Sequence, residues 1–170
     1  VSLIGVGPGD PGLLTLRGAR AIGRADTVLY DALVHPAVLA HARPEAERLF
    51  VGKRAGPPSA TQEEINHILL YRAGQGRRVA RLKGGDPLLF GRGAEEMEFL
   101  AQHGVAFEVV PGVTAALGAT AYAGIPLSHR DLSSSLALVT STERPGRDRS
   151  RHDWARLATA TQTLVIYMGL

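Results

Sequence analysis

Short apolar segments alternate with helical patterns along the first 112 residues, and this alternation is the strongest constraint on the fold. Most of the segments are continuously apolar, which is typical of strands buried on both faces of a parallel sheet. We therefore predict an α/β domain over residues 1–112 with about five strands in a mostly parallel sheet. The predicted strands are "VSLIGV" (1–6), "TVLYD" (27–31), "RLFVG" (48–52), "RVARL" (78–82) and "FEVV" (107–110).

Local signals place helices between these strands. Thr15 is positioned to cap a short helix, and Thr61 with Glu64 forms a capping-box pattern ahead of a second helix. A third helix is predicted at about 93–103 from its spacing of apolar residues. The buried face of this third helix is expected to consist of Ala94, Met97, Leu100 and Ala101.

Residues 113–170 begin a second α/β domain. A segment rich in small residues (111–126) predicts a helix, and it is followed by strand "LALVT", a helix near Trp154 and strand "TLVIYM". Two strands and one helix are too few for an independent sheet. We therefore expect this second domain to be incomplete in the chain.

Composition excludes several classes of function. The chain has no cysteine, which rules out disulfides and favours a reducing, cytoplasmic location. Its 19 Lys and Arg against 16 Asp and Glu are scattered, and only 5% of residues are aromatic, so nucleic acid is not an expected partner. We expect no membrane span and, because the six histidines lack ligand spacing, no metal.

The first strand ends in the glycine-rich stretch "GVGPGDPG" (5–12). This stretch fails the dinucleotide fingerprint, because Asp10 stands where the third glycine is required. It also fails the Walker pattern, because Leu13 and Leu14 replace the lysine and the hydroxyl residue. Pro8 stiffens the turn, and Gly7 and Gly9 offer no Cβ to block a ligand. The stretch is therefore either a plain turn or a ligand-binding loop.

A second glycine-rich strand end, "KGGDP" (83–87), favours a cleft, because ligands bind at the carboxyl ends of parallel strands. Asp86 is either a turn residue or an acceptor for a ligand. Asp31 and Lys53 also follow predicted strands. They form either a surface ion pair or an acid and base for proton transfer.

Seven segments, in order, resemble the uroporphyrinogen-III C-methyltransferases of the tetrapyrrole methylase family. They are "VSLIGVGPGDPGLLTLRGARAI", "ADTVLYDALV", "VGKRAG", "TQEEINHILL", "RLKGGDPLLFGRGAEE", "FEVVPGVTAALGATAYAGIPLSHRD" and "TLVIYMGL". The likeness covers nearly the whole chain. It implies a two-domain fold, a homodimer, and S-adenosylmethionine as the methyl donor, bound between the domains and released as S-adenosylhomocysteine.

The resemblance also implies roles for individual residues. Asp31 corresponds to the proton acceptor and Lys53 to the proton donor in a double methylation of uroporphyrinogen III, at C2 and C7, that gives precorrin-2 for sirohaem or cobalamin. The donor contacts carry over to Pro8, Gly84, Gly85, Asp86, Leu89, Thr114, Ala115 and Met168. The substrate is a polycarboxylate, and basic residues suited to its carboxylates are Arg17, Lys53, Arg54, Arg92 and Arg130.

Two alternatives stay open on the sequence. One is another methyltransferase of the same family, and the other is a cofactor-binding module without catalysis.

Overall fold

The computed structural model describes residues 1–52, 60–141 and 152–169. The chain forms two compact units, Val1–Ala115 and Ala116–Leu170.

The first unit is built on a parallel sheet, as predicted. Its strands are β1 (Ser2–Gly5), β2 (Thr27–Tyr30), β3 (Glu47–Phe50), β4 (Val79–Lys83) and β5 (Glu108–Val110). In the described part of the chain this sheet has the order β3-β2-β4-β1-β5, and every neighbouring pair is parallel. Strand β1 registers with β4 through Ile4 and Leu82 and with β5 through Ile4 and Val110. The α/β class with a mostly parallel sheet is therefore confirmed.

The helices of the first unit begin where the capping signals place them. Thr15 Oγ1 accepts the N–H of Gly18 at 3.0 Å. Thr61 Oγ1 accepts a hydrogen bond from the N–H of Glu64 at 3.1 Å, and the Glu64 carboxylate accepts one from the N–H of Thr61 at 2.6 Å. Both caps supply partners for N–H groups that have none within the helix. The helices are α1 (Leu16–Ile22), α2 (Gln62–Gly74) and α3 (Gly93–Gln102), with 3₁₀ turns at Pro11–Leu13 and Pro36–His41.

The sheet carries apolar packing on both faces. Successive strand residues point to opposite faces, and neighbouring Val28 and Leu29 are both fully buried. Val28 packs with Ile22 in one cluster, whereas Leu29 packs with Leu69 and Leu100 in the other. Covering both faces explains why the strands read as continuous apolar runs.

The predicted buried face of α3 is wrong in part. Leu100 is buried, but Ala94 and Ala101 are exposed and Met97 is only half-buried. Glu96 is fully buried instead, because cations on β4 pair with it. The spacing of apolar residues cannot predict that a carboxylate is buried.

The second unit contains α4 (Ala115–Tyr122), which starts at the end of the first unit, β6 (Leu136–Thr140), α5 (Trp154–Ala160) and β7 (Thr163–Tyr167). Strands β6 and β7 pair in parallel from Leu136 opposite Thr163. Of the helices in the described residues, none has the length and hydrophobicity to cross a bilayer.

Candidate functional site

The carboxyl ends of β1, β4 and β5 converge at one edge of the first unit. Beyond the strands, Gly7 and Gly85 form an antiparallel bridge, in which the Gly85 N–H donates to the Gly7 carbonyl at 2.7 Å and the Gly7 N–H to the Gly85 carbonyl at 3.3 Å. The two glycine-rich stretches are therefore bonded to each other. Both lie at the edge of the sheet where α/β proteins bind ligands.

Glycine is required here because the chains approach too closely for side chains. A Cβ at Gly112 would lie 2.2 Å from the Gly85 carbonyl oxygen, and a Cβ at Gly5 would lie 2.6 Å from the same atom. These contacts are with backbone atoms, so a Cβ could be accommodated only if a strand moved. Gly5 and Gly112 therefore let the end of β1 and the segment after β5 pass close to the Gly85 carbonyl.

Other glycines at this edge leave main chain open. Gly85 has φ +68°, and a Cβ there would find only Thr114 Cα at 3.9 Å and the Ala115 nitrogen at 4.0 Å within contact range. Gly9 has φ +136°, with nothing within 4 Å of the same position. Backbone in these conformations strongly favours glycine. The result is a surface of bare main chain on which a ligand could lie, with Pro8 in the adjoining turn.

Asp86 holds this edge together through its carboxylate. Oδ1 accepts the N–H of Leu88 at 2.9 Å, and Oδ2 accepts the N–H of Gly112 at 3.1 Å. The first bond is the local turn contact that aspartate commonly makes, and the second ties the β4 loop to the chain that leaves β5. The turn interpretation of Asp86 is thus correct, and its contact with a ligand stays a prediction.

The loop after Asp86 is held in a strained conformation. Phe90 and Arg92 have φ of 54° and 57°, which is left-handed backbone that side chains disfavour. A Cβ at Gly93 would lie 2.3 Å from the Pro87 carbonyl oxygen, which accepts the Gly93 N–H at 3.0 Å. Leu89, a predicted donor contact, lies half-buried in this loop.

Asp31 lies at the same edge, in the turn that follows β2. Its Oδ1 accepts the N–H of Leu33 at 3.0 Å, and the Leu33 side chain packs against Gly84, where a Cβ would be only 2.8 Å from Leu33 Cβ. The Asp31 side chain is 24% exposed, and Arg81 Nη2 lies 3.4 Å from its Oδ2. A partly accessible carboxylate therefore adjoins the predicted donor loop.

A buried ionic cluster behind this edge was not expected from the sequence. Arg81 Nε and Lys83 Nζ donate to Glu96 Oε1 at 3.2 and 2.9 Å, and all three side chains are almost completely buried. Burial lowers the pKa of Lys83, and the neighbouring Arg81 charge lowers it further, while Glu96 acts in the opposite direction. Two charged residues inside an apolar β4 were the available signal, because buried charges require partners.

The structure does not bring all predicted site residues together. Lys53 and Arg54 lie outside the described residues. Met168 and Arg130 belong to the second unit, and Met168 follows β7 with φ 57°. The structure groups the other predicted donor contacts, Pro8, Gly84, Gly85, Asp86, Leu89, Thr114 and Ala115, in or at the end of the first unit.

Arg17 was expected to meet substrate carboxylates, and its position contradicts this. It pairs with Glu108 at 2.7 Å, at the start of β5 and therefore at the opposite edge of the sheet from Gly85. Arg92 remains near the site but is engaged by Glu95, with which it makes two hydrogen bonds of 2.8 and 2.6 Å.

Within residues 1–52, 60–141 and 152–169, no three His, Cys, Asp or Glu side chains are grouped closely enough to hold a metal ion.

The fold and this edge define an α/β protein with open main chain beside a partly exposed carboxylate at the carboxyl ends of its strands. The model of the Tetrapyrrole (Corrin/Porphyrin) Methylases matches residues 1–170. The chain therefore belongs to the tetrapyrrole methylase family.

Individual proteins of known name are also similar to this chain. The chain is 59% identical over 169 residues to "Siroheme synthase 2" of Yersinia pestis (strain Pestoides F), covering 99% of this chain and 35% of that protein. It is 43% identical, with a TM-score of 0.78, to a uroporphyrin-III C-methyl transferase of Thermus thermophilus complexed with S-adenyl homocysteine, covering 99% of this chain and 65% of that one. A cobalt precorrin-4 methyltransferase matches at 34% identity and a TM-score of 0.83, over 98% of this chain and 67% of that one. The chain thus spans about a third of the length of the curated relatives it matches.

Proposed function

We propose that this chain forms the donor-binding part of an S-adenosylmethionine-dependent C-methyltransferase that acts on uroporphyrinogen III. The proposed reaction methylates C2 and C7 and gives precorrin-2. The observation that carries the proposal is the likeness, over 99% of the chain, to a uroporphyrin-III C-methyl transferase complexed with S-adenyl homocysteine.

The edge of the sheet fits such a donor. The open backbone at Gly9 and Gly85 leaves space where a Cβ would meet nothing closer than 3.9 Å, and this supports the proposal, because main chain without side chains lets a ligand approach closely. Thr114 and Ala115 border the same space. Side chains at either glycine would intrude on it. We therefore assign the donor contacts to Pro8, Gly84, Gly85, Asp86, Leu89, Thr114 and Ala115, with Met168 as a further predicted contact.

When bound, S-adenosylmethionine supplies an electrophilic methyl group that bonds to a pyrrole carbon while its bond to sulfur breaks. The chain contributes alignment of the two reactants and exclusion of water. Addition of a methyl cation equivalent leaves the ring system with one proton to release. Asp31 is the proposed acceptor, because its carboxylate is partly exposed and adjoins the Gly84 loop. Lys53 is the proposed proton donor for tautomerisation of the ring, in which a proton delivered to one ring position is balanced by a proton removed from another.

A second methyltransferase function has one observation in its favour. The similarity to the cobalt precorrin-4 methyltransferase has the higher TM-score of the two, 0.83 against 0.78, although its sequence identity is lower. A later corrin is therefore the competing substrate. The homodimer and the cytoplasmic location stay predictions.

The test uses the full-length protein that carries this sequence. Calorimetric titration should show binding of S-adenosylmethionine and none of NAD. Incubation with labelled donor should then transfer two methyl groups to uroporphyrinogen III and none to cobalt precorrin-4. Transfer only to the corrin would replace the substrate assignment, whereas binding without transfer to either would indicate a non-catalytic module.

A further inference from the structure

The buried cluster of Arg81, Lys83 and Glu96 connects to the proposed proton acceptor, because Arg81 pairs with both Glu96 and Asp31. Glu96 Oε1 accepts from Arg81, from Lys83 and, at 3.2 Å, from Gln62 on α2. Its other oxygen, Oε2, is buried and has no hydrogen-bond partner among the described residues. Glu96 thus joins α2, α3 and β4 beneath the site.

Arg81 has its guanidinium fixed by this arrangement. Nε donates to Glu96 at 3.2 Å and Nη1 donates to the Leu82 carbonyl at 2.7 Å. Because the guanidinium is planar and rigid, holding two of its nitrogens determines where the third points. That third nitrogen, Nη2, lies 3.4 Å from Asp31 Oδ2.

The charges of the cluster balance only as a group. Arg81 and Lys83 of β4 are the cations, and Glu96 of α3 and Asp31 after β2 are the carboxylates that face them. A buried cation without a partner is strongly unfavourable. With Glu96 in place, Arg81 does not depend on Asp31 alone for its counter-charge, and Asp31 can keep its partly exposed position.

We infer that Glu96 is a positioning residue for Asp31. Glu96 fixes Arg81, and Arg81 in turn orients the Asp31 carboxylate beside the proposed donor site. This inference rests on the proposed role of Asp31 in proton transfer. Glu96 itself is fully buried and would not contact the substrate.

The test is a double-mutant cycle of methyl transfer in the full-length protein. Glu96→Gln keeps the shape and an acceptor but replaces a charged hydrogen bond with a weaker neutral one. We expect kcat to fall about tenfold, with KM for S-adenosylmethionine unchanged, as for loss of an interaction that matters only to the chemical step. Glu98→Gln, an exposed change on the same helix, is the matched control and should leave kcat unaltered.

The cycle is completed by Asp31→Asn. That change alone should lower kcat about 100-fold, the scale of a lost general base. Adding Glu96→Gln to it should lower kcat no further, because residues that act through one another are not additive. Independent, multiplying effects would overturn the inference. An unaltered kcat in Glu96→Gln, with only the unfolding temperature reduced, would also overturn it and leave Glu96 a purely structural residue.

Failure of the proposed function looks different. If Asp31→Asn itself has no effect on kcat, the role of Asp31 is wrong, and the inference falls with it. Should Glu96→Gln not fold, the same cycle is run in the Lys83→Met background, where removal of one buried cation offsets the lost carboxylate. The same two outcomes, non-additive or multiplying effects, then decide.

Discussion

Gly112→Ala tests the claim that the segments at Gly5, Gly85 and Gly112 lie too close together for a side chain at Gly112. The new Cβ would lie 2.2 Å from the Gly85 carbonyl oxygen and 2.7 Å from Gly5 Cα, whereas real Cβ atoms essentially never come within 3.0 Å of another heavy atom. These backbone segments must therefore separate by nearly 1 Å, and overpacking of this kind costs about 1–3 kcal/mol of stability. Since neighbouring backbone, not a flexible side chain, has to move, the upper half of that range is expected.

This cost is measurable as a shift in thermal unfolding. With about 4 °C of Tm per kcal/mol for a unit of this size, the upper half of that range corresponds to a decrease in Tm of about 8–12 °C. Circular dichroism would measure it, and calorimetry should show weaker binding of S-adenosylmethionine because the Gly85 carbonyl is displaced.

Gly74→Ala is the matched control. Gly74 is the last residue of α2, and a Cβ there would meet nothing within 4 Å. Alanine should leave Tm unchanged or raise it slightly, because glycine is unfavourable in a helix. A Gly112→Ala protein with the Tm and donor affinity of the parent would refute the packing argument.

Three further predictions follow from single contacts. Asp31→Asn should leave donor affinity in calorimetry unchanged while lowering methyl transfer about 100-fold; equal loss of both would make Asp31 a binding residue. Thr61→Ala, which removes the capping box with Glu64, should cost about 1 kcal/mol in denaturant unfolding, and Thr61→Ser should not. The pKa of Asp26 is held below its ordinary value of 3.8, mainly by the N–H of Arg78, so its contribution to stability is present above that pH and is lost as pH falls through the lowered pKa. Asp26→Asn should flatten the acid limb of the stability curve, and an unchanged limb would contradict this.

Much of the fold could be predicted because its signals are local. Each strand is an apolar run of a few residues, and the Thr15 and Thr61 caps depend on contacts three residues away. The parallel arrangement followed from runs that lack polar alternation. Strand boundaries shifted by only a residue or two, as in β3 (Glu47–Phe50) against the predicted 48–52, whereas the helix predicted within 111–126 is shorter, Ala115–Tyr122.

The errors arose where distant residues meet. Glu96 is buried because Arg81 and Lys83, on another element, need a carboxylate, and helix periodicity carries no information on that pairing. Arg17 was assigned to the substrate, but it pairs with Glu108, 91 residues away, at the far edge of the sheet.

The candidate site shows the same division. The sequence predicts open main chain at Gly7 and Gly9 and a ligand cleft at Gly84 and Gly85, from the glycine-rich ends of two predicted strands. The close approach of Gly5, Gly112 and Gly85 could not be predicted in this way, because it depends on the order of the strands in the sheet.

A crystal structure of the full-length protein with S-adenosylhomocysteine tests the central claim most directly. We expect the ligand to lie against the open main chain of Gly9 and Gly85, bordered by Thr114 and Ala115, with the Asp31 carboxylate facing the sulfur side. A ligand bound at any other place, or these backbone positions covered by side chains, would contradict it.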